Sequence, residues 1–137
     1  MTGRRLREGL RAERGSSIVE SLLALGLLAL VVAVGAQGFA YAEARSVAIA
    51  AAQDGVAAAA SNGLGAGLAR AQQVLDAGGG AARRLTPSLA EDGATVTVTV
   101  QGEAPEVLPL PTLLPAIRTS ATLPLERYPA DEQAVLR

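Results

Sequence analysis

Cysteine, histidine, lysine and tryptophan are all missing from these 137 residues, and aromatic side chains are reduced to Phe39, Tyr41 and Tyr128. Without cysteine there can be no disulfide framework, no thiolate nucleophile and no cysteine-ligated zinc. Without histidine the commonest metal ligand and the usual acid–base catalyst are gone, and with lysine absent too nothing remains to activate a serine. The expectation is a chain that is not an enzyme and takes no cofactor or metal. A cysteine-free chain suits the cytosol and the exterior equally. Aromatics normally supply much of a core's buried area. A hydrophobic half built on alanine, leucine and valine therefore favours slim helices over a thick core.

Charge of either sign is also scarce in excess. Twelve arginines against thirteen acids leave a net charge of -1, which suggests neither a polybasic surface nor an acidic tail. Outside the N-terminal segment Arg83-Arg84 is the one basic pair, too little for nucleic acid. Glu91-Asp92 and Asp131-Glu132 read as solvated pairs in turn-like sequence.

What is present is unevenly placed. Met1 to Gly15 holds five arginines and two glutamates, a net +3, which leaves -4 on the other 122 residues. From Ser21 to Ala42, 22 residues pass without a charge. As a helix that run is about 33 Å long, enough to cross a hydrocarbon core of about 30 Å. A basic segment ahead of such a span is retained in the cytoplasm, which puts the C-terminal portion outside.

Three readings fit the span: a permanent single-span anchor, a secretory signal, or a prepilin-type signal whose apolar helix is kept. The secretory signal would have its hydrophobic region at Leu22 to Val34 and be cut after Val34-Gly35-Ala36. The junction separates them. Glu13-Arg14-Gly15-Ser16-Ser17-Ile18-Val19-Glu20-Ser21 ends a basic leader in glycine and places a carboxylate five residues later, at the mouth of the apolar run. This resembles the processing motif of the type IV pilin superfamily. The resemblance implies a cut between Gly15 and Ser16, often followed by methylation of the new N-terminus, with Glu20 as the fifth mature residue. A carboxylate at the edge of a membrane helix is costly without a partner. The new amine of Ser16 on one subunit could meet Glu20 of another and fix the register of assembly. Ser17-x-x-Glu20 is also a capping box, and the two roles are compatible.

Beyond the span, alanine-rich and proline-free sequence extends the helix from about Ser17 to Ala60. Ser61-Asn62-Gly63 ends it. Gly63 to Gly67 lacks both the GxGxxG spacing and a P-loop lysine and reads as a flexible joint. Leu64, Leu68, Ala71 and Leu75 then mark one face of a short helix that stops at Gly78-Gly79-Gly80. Ala94 to Val100 alternates threonine with valine, a half-buried strand preceded by a turn at Glu91-Asp92-Gly93. Pro105, Pro109, Pro111 and Pro115 punctuate a connector that can be neither central strand nor helix. Ile117 to Leu123 alternates again, and a third strand fits near Arg84 to Leu89. The short helix is the natural cover for the valine face. The expected class is α+β, pilin-like: a long N-terminal transmembrane and assembly helix, a short helix and a small antiparallel sheet. The expected divisions are a removed leader (1–15), the long helix (16–60, span about 21–42), the joint with the short helix (61–80), and a β-rich region (81–137) whose tail from Ala130 is loose.

This order of features, with the Gly-Ser-Ser-Ile-Val-Glu junction, the Thr-Val alternation, the Leu-Pro connector and the final Thr-Ser-Ala-Thr-Leu, is similar to that of TadE-like minor pilins (pseudopilins) of tight-adherence, or type IVc, systems. There are departures. Ser21 stands where those proteins often carry phenylalanine, and Asp54-Gly55-Val56-Ala57 keeps the acid and glycine of their Glu-Gly-Ala-Arg but loses the arginine. Ser16 as leading mature residue sets the chain apart from the main type IVa pilins. The resemblance implies a structural subunit cut between Gly15 and Ser16 and assembled with the help of Glu20. Its partners would be a prepilin peptidase, an assembly platform, membrane lipid and other pilin subunits. The competing class is a secreted or membrane-anchored interaction module.

Overall fold

A computed structural model describes residues 3–107 and 114–125, with side chains from Ser17 onward. The class is α+β, as the patterning requires. Helix α1 runs from Gly3 to Asn62 and α2 from Leu64 to Ala77, followed by a short 3-10 turn at Gly79–Ala82. Strands β1 (Leu85–Glu91), β2 (Thr95–Gly102) and β3 (Ile117–Pro124) form one antiparallel sheet in the order β1-β2-β3. The chain divides into two units, residues 1–38 and 39–137.

In the first unit the backbone is helical from Gly3, well ahead of the start expected at Ser17. The leader contains no proline, and its arginines, leucines and glutamates are good helix formers. One consequence corrects the capping-box reading. Inside a continuous helix the backbone N–H of Ser17 already has an intrahelical partner, so there is no helix end here to cap. The Ser17 carbonyl instead accepts a bond from the Ser21 hydroxyl at 2.8 Å.

The second unit is a two-layer sandwich of helix on sheet. The inner face of β2 is Val96, Val98 and Val100, all fully buried. Alternation carries this face across the register, where Val100 lies between Pro87 and Thr119, and Val98 between Leu89 and Ala121. The threonines of β2 lie on the other face, with Thr97 and Thr122 hydroxyls bonded across strands at 2.8 Å. Each buried valine contributes on the order of 1.5–3 kcal/mol. Against this face pack Ala44, Ala48, Ala51, Ala52, Val56 and Ala59 of α1 together with Ala71 and Leu75 of α2. The cover is thus shared by both helices, whereas the short helix alone was expected to supply it. Alanine makes this possible, because a side chain of one carbon lets a helix lie close to a sheet.

Glycine does the same between helices. Gly55 on α1 and Gly67 on α2 lie so close that a Cβ on Gly55 would come within 2.9 Å of the Ala71 Cβ, and one on Gly67 would collide with the Ala59 Cβ. The reading of Gly63 to Gly67 as a flexible joint is therefore corrected. The joint is Gly63 alone, at a φ of 93°, while Gly65 and Gly67 are helical. The buried stripe of α2 is Gly67, Ala71 and Leu75. Leu64 and Leu68, expected on that stripe, are exposed. The short helix nevertheless has the boundaries its apolar spacing and flanking glycines implied, and the triple glycine ends it. Strand β1 passes through Pro87, which an edge strand can hold because it need not donate on both sides. Most of the proline-rich connector, residues 108–113, and the tail with Tyr128, residues 126–137, lie outside the described residues.

Candidate functional site

Two features of α1 stand out chemically: its apolar surface and the junction at its head. From Ile18 to Val34 every leucine, isoleucine and valine is more than half exposed, and Phe39 is 72% exposed. The helix is long and apolar enough to cross a membrane from Ser17 onward, and none of its most apolar stretch is buried within the protein. Exposing this much leucine and valine to water is unfavourable by about 25 cal/mol per Å². The surface therefore needs a lipid or protein neighbour.

The junction residues share this helix. Gly15, Ser16 and Glu20 all lie within α1, so Ser16 and Glu20, four residues apart, stand one turn apart on the same side. The Ser16 side chain and the leader arginines lie outside the described residues, whereas the Glu20 side chain is exposed. No described residue forms an ion pair with Glu20. The hydroxyl of Ser21, next along the chain, is satisfied within the helix.

In the second unit several charged groups serve the fold. Arg70 of α2 donates to the Asp54 carboxylate of α1 at 2.8 Å across the glycine contact. Arg84 lies 3.4 Å from Glu106 and 3.8 Å from Glu103. All of these pairs are about half exposed, and exposed pairs contribute about 0–1 kcal/mol each. Asp92 ties the β1–β2 turn. Its carboxylate accepts the Thr95 N–H at 2.8 Å, the Ala94 N–H at 3.1 Å and the Thr95 hydroxyl at 3.0 Å. The Thr95 and Ala94 amides, in that order, hold its pKa below the ordinary carboxylate value. Among the described residues no group of three acidic, histidine or cysteine side chains could hold a metal ion.

The outward side of α1 in this unit has a distinct make-up. Ala42, Ser46, Ile49, Ala50, Gln53 and Ala57 are exposed and uncharged. They turn away from the alanines that pack on the sheet. This strip was missed in the sequence, where alanine dominates every side of the helix and only the packing shows which alanines are core.

No protein-family model matches the chain, and no curated protein or solved structure matches it either.

Proposed function

We propose that the chain is a minor pilin of the TadE-like kind, a membrane-inserted precursor cut between Gly15 and Ser16 and assembled through α1 into, or at the tip of, a type IVc pilus. The supporting observation is the extent of exposed, uncharged surface on α1. A simple anchor needs about 20 apolar residues and a polar, water-compatible helix thereafter. Here the outward strip stays uncharged through Ala42, Ser46, Ile49, Ala50, Gln53 and Ala57, beyond the span. A helix destined to pack among others along much of its length has use for such a surface; a tether has none. In this reading Glu20 pairs with the new amine of a neighbouring subunit's Ser16. Partners are other pilin subunits, the peptidase, the assembly platform and, before assembly, lipid. The location is the cytoplasmic membrane with the C-terminal unit outside, then a surface pilus.

The alternative is a single-span or secreted interaction module, which the apolar helix also supports. The intact mass and N-terminal residue of the protein from its native membrane separate the two. A chain starting at Ser16, methylated or not, is the expected result. A start at Gln37 or an intact leader would overturn the proposal. Glu20→Gln should leave processing largely intact yet block entry into filaments. Normal incorporation of that variant would remove the charge-pairing mechanism.

A further inference from the structure

Glu43 and Arg45 are the first charges after the span, and both are exposed. Neither forms an ion pair with any described residue, in contrast to Asp54, which is held by Arg70. Two residues apart on a helix, they stand about 160° from each other around the axis. On the solvent side the interval between them is filled by Ala42, Ser46, Ile49, Gln53, Ala57 and Ala50, all uncharged and exposed. The outward face of α1 is therefore a neutral strip with a cation on one flank and an anion on the other.

We infer that this face binds a second copy of the same chain, in parallel, with Arg45 of one copy against Glu43 of the next. The charges choose the occupant. A helix with opposite charges on its two flanks is complementary to itself when copies stand side by side in one direction. In an antiparallel pair the two sites would be drawn apart along the axis. Membrane insertion, the part of the proposed function on which this inference rests, sets the level. Copies with the same span sit at the same depth, and residues 43 and 45 differ by only about 3 Å along the helix. At the membrane boundary, with water partly excluded by the neutral strip, such a pair is worth more than a fully exposed one. The contact is two-fold about an axis parallel to the helices, so strip meets strip, Arg45 meets Glu43 on both sides, and the pair is closed.

The absence of cysteine makes the test direct. Full-length chain carrying Gln53→Cys at the centre of the strip is inserted in lipid vesicles and mildly oxidised, and the yield of disulfide-linked dimer is measured. Glu43→Arg and Arg45→Glu, each alone, should lower that yield by about threefold or more, since each replaces attraction with repulsion. The double exchange should restore it. A cysteine at Ser88, on the opposite face of the sheet, should give a low yield indifferent to these charges. Unchanged yields in the single variants, or no recovery in the double, would overturn the inference. Vesicle flotation is read in the same samples. A chain that fails to float refutes membrane insertion itself, whereas one that floats without charge-dependent cross-linking refutes only the parallel pairing.

Discussion

Asp92 shows how much one exposed side chain can organise. Its carboxylate accepts three bonds from Thr95, which opens β2, and Ala94 just before it, and those bonds favour the ionised form. A pKa lowered by folding adds stability above the carboxylate's unfolded value, near pH 4. That contribution is lost as pH falls through the lower folded value. Urea unfolding of the full chain in detergent should therefore show Asp92 stabilising the fold at pH 7 and ceasing to do so in strong acid. Asp92→Asn should flatten this part of the acid dependence; an unchanged profile would mean that the turn is held by other groups. The turn at Glu91-Asp92-Gly93 was visible in the sequence because aspartate and glycine act locally. The sequence could not show that Arg70 would close on Asp54, sixteen residues away, since that depends on how two helices meet.

At the scale of the element, the two glycines inside α2 make opposite predictions. Glycine in a helix costs about 1 kcal/mol relative to alanine. Gly65 faces open space, so Gly65→Ala should raise stability by up to about 1 kcal/mol. Gly67 lies against the Gly55 carbonyl and the Ala59 side chain, and overpacking of this kind costs about 1–3 kcal/mol. Gly67→Ala should therefore destabilise despite its better propensity. Thermal melts of the two variants check both signs, and a stable Gly67→Ala protein would mean that the helices can part at little cost. From composition alone the two positions look alike. Periodicity revealed the strands clearly, because threonine and valine alternate without ambiguity. It misplaced Leu64 and Leu68 because leucine outranks glycine in any apolar count, while the tight crossing of α1 and α2 required the smallest residues on the buried stripe.

For the whole molecule the uneven charge sets the expectation. On the proposed function, the net +3 before the span and the negative balance after it would hold residues 1–15 in the cytoplasm and leave the sheet outside. Single cysteines in the otherwise cysteine-free chain test this. In intact cells a membrane-impermeant maleimide should label Ser88→Cys, and should label Thr2→Cys of a processing-blocked chain only after lysis. The reverse pattern would overturn the orientation. The junction that carries the proposed function was legible as a motif, yet its local structure was not. The capping signature at Ser17 and Glu20 suggested a helix end, and the helix runs straight through it. A cut after Gly15 would remove the carbonyls that now serve the amides of Ser17, Ile18 and Val19. Ser17 and Glu20 are already spaced to take over two of those orphaned donors, the Glu20 carboxylate accepting the Ser17 N–H and the Ser17 hydroxyl the Val19 N–H. The intact chain thus carries, in mid-helix and without present use, the means of sealing an end that only cleavage would create.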